Sequence, residues 1–88
     1  MDETLNRLRI QLELQSWPAV YLFKFIVPNN SETIAKVNTL FNEMSQVTMH
    51  ESRNGKYISI SAKELMLDVQ SIIDKYILAS KINGVISL

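Results

Sequence analysis

The spacing of apolar positions along this chain switches between intervals of three or four and intervals of two, and each switch predicts an element. Over Asp2–Gln15, Leu5, Leu8 and Leu12 recur at helical spacing, with Asp2 and Glu3 at the end where a helix dipole favours negative charge. Ser16-Trp17-Pro18 breaks this pattern, because proline lacks a backbone donor and pushes its predecessor toward extended geometry. From Ala19 to Val27 the period becomes two: Tyr21, Phe23, Phe25 and Val27 share one side, and Val20, Leu22, Lys24 and Ile26 the other. Both sides are largely apolar, which is the pattern of a central strand interrupted only by Lys24.

After Pro28, Asn29 and Glu32 have the spacing of a capping box, and Ile34, Val37, Phe41 and Met44 predict a helix. Gln46–Ser52 alternates again, with Val47, Met49 and Glu51 opposing Thr48, His50 and Ser52. Asn54-Gly55 then predicts a two-residue type I′ hairpin turn, since both residues tolerate positive φ. That turn sets Arg53 against Lys56, Ser52 against Tyr57, Glu51 against Ile58, His50 against Ser59 and Met49 against Ile60. Val47, Met49, Ile58, Ile60 and Ala62 then form a core-facing set, and Thr48, His50, Ser52, Tyr57, Ser59 and Ser61 face the opposite way.

Two boundaries compete for the next helix. Ser61 and Glu64 fit a capping box, or the strand runs to about Glu64 and Asp68 caps; the later start is favoured because it aligns Val69, Ile72, Ile73, Tyr76 and Ile77 on one helical side. This helix ends near Ser80 with Lys81 at its C-terminal end, and a turn at Gly84 leads into a short strand, Val85–Leu88. The order β-α-β-β-α-β, after an N-terminal helical segment, predicts an α+β, ferredoxin-like domain: a four-stranded antiparallel sheet with the first and third strands central. Residues 1–16 form an accessory segment and residues 17–88 the domain.

Composition narrows the function. The 88 residues carry nine Lys plus Arg and nine Asp plus Glu, so there is no overall attraction for nucleic acid or anionic lipid. The absence of cysteine removes disulfides and thiolate chemistry, and one histidine supplies no metal ligand set. No signal-peptide pattern and no apolar run near the ~20 residues of a membrane span is present, so a cytoplasmic location is expected.

Tyr21-x-Phe23-Lys24-Phe25, Ser52-x-x-Gly55-x-Tyr57-x-Ser59, Tyr76 and the hydrophobic strand after Gly84 together resemble the small bacterial YbeD-like family, a domain-of-unknown-function group, over residues 17–88. The resemblance implies a ferredoxin-like fold similar to the regulatory ACT domain, without an established catalytic activity. Asp2–Gln15 matches no motif of that family.

If both predicted helices cover the Phe23 side, the opposite face presents Leu22, Lys24, Ile26, Thr48, His50, Tyr57, Ser59 and Ser61. Apolar area beside a cation and hydroxyls suits a protein partner, a second copy or a polar ligand; a solvated sheet with Lys24 lying along its neighbours is the bland alternative. The N-terminal helix also has the means to cover this face. The expected function is a non-catalytic regulatory or protein-interaction module acting through this face or an edge strand, without a cofactor. An ACT-like small-ligand sensor is the alternative, although Pro28-Asn29-Asn30-Ser31 lacks the glycine-containing ligand turn of ACT domains.

RNA binding is a weaker expectation, because Gly55–Ile60 echoes only part of an RNA-recognition signature and the face offers a single aromatic, Tyr57. An acylphosphatase-like enzyme lacks its arginine between Pro28 and Ser31, and His50 opposite Ser59 suits a surface contact better than a catalytic relay. Phe23, Phe25, Phe41 and Tyr76 are expected in the core, while Trp17 either anchors the N-terminal segment or meets a partner.

Overall fold

In the computed structural model residues 3–88 are described, and the expected place of Asp2 in the first helical turn lies outside the described residues. Seven elements follow one another: α1 (Glu3–Glu13), β1 (Ala19–Pro28), α2 (Ser31–Asn38), β2 (Gln46–Glu51), β3 (Tyr57–Met66), α3 (Val69–Ser80) and β4 (Ile86–Ser87). The strands form one antiparallel sheet in the order β2-β3-β1-β4, with β1 and β3 in the middle. The chain therefore adopts an α+β fold with three helices and an open four-stranded sheet.

The long central pair sets the register. β1 and β3 are matched from Ala19↔Met66 to Pro28↔Tyr57, which puts Phe23, Phe25, Val27, Ile58, Ile60 and Ala62 on one face, all buried. Ile72, Ile73, Tyr76 and Ala79 from α3, Val37 from α2 and Leu12 from α1 complete this core. Phe23 and Phe25 stack at 6.3 Å between centroids, and Phe41 and Tyr76 pack around them at 5.5–6.1 Å, so the expected aromatic core forms.

The hairpin register agrees with expectation at Met49↔Ile60, His50↔Ser59 and Glu51↔Ile58, but its turn is of another kind. The Gly55 amide donates to the Ser52 carbonyl at 2.9 Å, so Arg53 and Asn54 are the central residues of the tight turn. Gly55, at φ +73°, is the only residue of this loop in the left-handed region, whereas type I′ requires Asn54 there as well. Asn54 instead accepts from the Ser52 hydroxyl (2.9 Å) and the Lys56 amide (3.0 Å), and the Arg53–Lys56 pair becomes loop. Because Ser52 still donates to the Tyr57 carbonyl at 2.9 Å, the longer loop leaves the register unchanged.

Three further expectations are corrected. Asn30, rather than Asn29, caps α2 by accepting from the Thr33 amide at 2.8 Å; the Asn29 side chain donates to the Gly55 carbonyl at 2.8 Å and ties the end of β1 to the hairpin. Glu32 pairs with Lys36 at 3.1 Å rather than closing a capping box. α2 stops at Asn38, before Phe41 and Met44, and Asn42 accepts from the Met44 amide (2.8 Å) and the Ser45 hydroxyl (3.3 Å) in the following loop. Such local bonds compete with helix continuation. Val47 and Met49 point to the helical side as expected, yet they stay 38% and 56% exposed because the short α2 does not reach over β2.

The later helix start holds: Asp68 caps α3, accepting from the Ser71 amide at 2.8 Å. That bond and the Ser71 hydroxyl hold the Asp68 carboxyl below its usual range. Gly84 turns the chain at φ +85°, and only Ile86 and Ser87 of the expected terminal strand join the sheet. α1 packs against α3, where Arg9 donates to Gln70 at 2.8 Å, and the Trp17 indole anchors its end by donating to the Leu12 carbonyl at 2.9 Å. Leu5, Leu8 and Leu12 thus add to the helical layer and leave the second sheet face uncovered. No helix among the described residues is long and apolar enough to cross a membrane.

Candidate interaction face

Pairing across the sheet determines which side chains meet on the uncovered face. Lys24 stands opposite Ser61, Ile26 opposite Ser59 and Leu22 opposite Lys63 across β1 and β3, while Ser59 faces His50 and Ser61 faces Thr48 across β2 and β3. Tyr57 closes the row opposite Pro28. All eight expected face residues, Leu22, Lys24, Ile26, Thr48, His50, Tyr57, Ser59 and Ser61, therefore share one surface. Leu22, Lys24, His50 and Tyr57 are exposed, and Ile26, Ser59 and Ser61 are half-buried among their neighbours.

The surface extends beyond those eight. Val20 pairs with Leu65 at one end and Ile86 with Ile26 at the other, and Val20, Leu65 and Ile86 each keep more than half their area exposed. The alternation places Val20 on this side, and Leu65 joins it because β3 runs past the expected end near Glu64 to Met66. The face divides lengthwise. Val20, Leu22, Ile26 and Ile86 make an apolar band over β1 and β4, while Ser59, Ser61, Thr48 and His50 make a hydroxyl-rich band over β3 and β2. Lys24 sits within the apolar band and Lys63 on its border.

Charge is distributed as unevenly as polarity. The acidic residues of the sheet, Glu51 and Glu64, both point to the helical side, opposite Ile58 and Tyr21. Lys24 and Lys63 have no ion-pair partner among the described residues. The neutral total therefore conceals an open sheet face whose described strand residues include two lysines and no carboxylate.

On the other side of the sheet lies a feature that sequence reasoning missed. Glu64 is buried and ion-paired with Lys75 of α3; it also accepts from the Ser45 hydroxyl (2.9 Å) and the Asn42 amide (3.4 Å). Lys75 lies over the rings of Phe23 and Phe41, 5.3 and 5.1 Å from their centroids. Burial pushes the Glu64 carboxyl up, but Lys75, Ser45 and Asn42 together outweigh it and hold the group below its ordinary value. With its oxygens occupied, this carboxylate ties β3, α3 and the loop before β2 together.

A cavity of about 390 Å³ opens between α1, α3 and the β4 edge, lined by Leu5, Leu8, Tyr21, Tyr76, Ser80 and Leu88 among others. The Tyr21 and Tyr76 hydroxyls share one hydrogen bond of 2.9 Å at its wall. Burial, and then the bond to Tyr21, push the Tyr76 phenol far above its usual range, so it stays protonated. Comparison of this chain with protein-family models, with curated proteins and with solved structures finds no match in any of the three.

Proposed function

We propose that the chain is a non-catalytic regulatory or protein-interaction module of ferredoxin-like topology and YbeD-like kinship, working in the cytoplasm through its open sheet face. The observation that carries this reading is the mismatch in β1: its residues are apolar on both sides, and the chain's own helices cover only one. A strand with that pattern normally has both faces packed, and an exposed apolar band such as this one, broken only by Lys24, marks an association site. The strand order β2-β3-β1-β4 supports the topology. His50 is exposed on this face and Ser59 only half-buried, so water reaches the pair, which favours binding over group transfer.

Leu22→Asp and Tyr57→Asp test the reading, because both side chains are exposed and the substitutions leave the core untouched. Affinity capture from the native organism with wild type and with the double variant is expected to lose the partner in the variant, while circular dichroism stays unchanged. Unchanged capture removes this face from the account.

The cavity favours a second reading, an ACT-like sensor of a small ligand. Two phenols that share one hydrogen bond retain a second O–H proton, so an apolar ligand bearing a carbonyl or carboxylate acceptor suits the space. Such a ligand raises the melting temperature of wild type and not of Tyr21→Phe/Tyr76→Phe. A metabolite screen without any shift at saturating concentration rejects the sensor.

A further inference from the structure

We propose that the occupant of the open face is an amphipathic α-helix of a partner protein, lying along β1 and the adjoining β4 edge, with acidic residues on its flanks that meet Lys24 and Lys63. This rests on the interaction reading above and adds the chemistry of the partner.

Dimensions agree with a helix. β1 and β3 are ten residues each, so the face is ~33 Å long at 3.3 Å per residue and ~19 Å wide at 4.8 Å per strand. A helix of about 20 residues is ~30 Å long and ~10 Å across. One such helix covers the apolar band of Val20, Leu22, Ile26 and Ile86 and leaves the hydroxyl band wet. The sheet then has helices on both faces, and both apolar sides of β1 are covered.

Charge selects the flanks. Lys24 and Lys63 are diagonal neighbours, since Leu22 pairs with Lys63 and Lys24 with Ser61, and neither ammonium group has an ion-pair partner among the described residues. A docked apolar helix takes water from them, and carboxylates on its flank replace that water. A second copy of the chain is a poorer occupant: two such faces brought together oppose lysines to lysines with no acid between them. Single-stranded RNA satisfies the lysines but finds only Tyr57 to stack on and leaves the apolar band unfilled.

The test is an amide NMR titration of the full chain with three synthetic 20-residue helices that share one leucine stripe and differ only in flanks of Glu, Gln or Lys. The Glu peptide is expected to shift Leu22, Lys24, Lys63 and Leu65 and to bind roughly tenfold tighter than the Lys peptide, the gain of two partly exposed ion pairs. Lys24→Glu/Lys63→Glu is expected to reverse that order; Lys24→Gln/Lys63→Gln, which flattens it, serves if the reversal variant misfolds. Equal affinity of the three peptides at this face keeps the interaction surface and overturns the acidic partner. Shifts of the same residues on concentrating the chain alone, or with a uridine oligomer in place of the Glu peptide, assign another occupant and overturn the proposal. No shift at this face with any peptide at millimolar concentration overturns both the proposal and the docking reading beneath it.

Discussion

Glu64 shows how one residue converts a buried charge into an anchor. Its side chain retains 5% exposure and that of Lys75 14%, so neither ion keeps much of its hydration. Taking two ions out of water costs several kcal/mol, returned only if the pair stays intact and its remaining lone pairs are satisfied. Lys75→Met keeps contact with the Phe23 and Phe41 rings but strands the carboxylate, so denaturant unfolding is expected to show a loss of about 3 kcal/mol. Glu64→Gln/Lys75→Met is expected to recover most of it; a double variant no better than Lys75→Met refutes the stranded charge as the cause. The pH dependence has a definite sign. Glu64 titrates below its ordinary 4.5 in the folded protein, so its contribution is full above that pH and is lost as pH falls through the folded value. In Lys75→Met, burial dominates, the carboxyl moves upward, and protonation relieves the strain. The stability gap between wild type and variant is therefore expected to narrow on acidification from pH 6 to pH 3.5, a trend that paired urea titrations measure.

At the scale of elements, caps and turns decide where periodic patterns stop. The pattern Ile34, Val37, Phe41, Met44 predicts about three turns of helix, and the chain leaves it after Asn38; a period describes which side a residue takes, not whether local side-chain bonds at Asn42 interrupt the helix. Val47 and Met49 carry the same lesson, since alternation assigned their side correctly and said nothing of how far a neighbouring helix extends. Register was the most legible feature because the Ser52–Tyr57 closure works for either turn type. The burial of Glu64 was illegible for the opposite reason: its partner lies eleven positions away on another element, and no local pattern joins them. Gly84 is a closing point that is easily tested. It sits at φ +85°, and a Cβ there falls 2.9 Å from Cγ of Pro28, so Gly84→Ala strains both the turn and its seat on β1. Hydrogen exchange is expected to accelerate at Ile86–Leu88, whose anchors are two pairs on β1 and the 2.9 Å bond from the Leu88 amide to the Lys24 carbonyl, while β1–β3 amides stay protected. Asp68→Ala removes the α3 cap and is expected to lower the melting temperature by about 5 °C; Asp68→Asn, which still accepts from Ser71, is expected to keep most of it.

For the molecule as a whole, the two faces of the sheet set the terms: one holds the entire core and the other is free for contact. The face residues were legible in the sequence because strand alternation and the hairpin register each fix a side, and the two agree from Leu22 to Ser61. Which face α1 would cover was not legible, since its Leu5, Leu8 and Leu12 stripe suits either one. The choice has a stability consequence. Leu12 retains 2% exposure inside the core cluster, whereas Leu14, two positions on, is 85% exposed. Leu12→Ala removes buried volume where α1 joins the core and is expected to cost about 3 kcal/mol; Leu14→Ala is expected to stay within about 0.5 kcal/mol of wild type. If residues 1–16 are a detachable accessory, Leu12→Ala releases α1 and leaves residues 17–88 as stable as the truncated chain alone, with the sheet amides still protected. If α1 is integral, as its share of the core and the Trp17 anchor argue, truncation uncovers Tyr21 and Tyr76 and the remainder loses cooperative unfolding. Thermal melts of Leu12→Ala, Leu14→Ala and the 17–88 fragment separate the two: a fragment that melts as sharply as Leu12→Ala and at the same temperature contradicts an integral α1, and a fragment without a cooperative transition shows that the smallest folding unit includes the N-terminal helix.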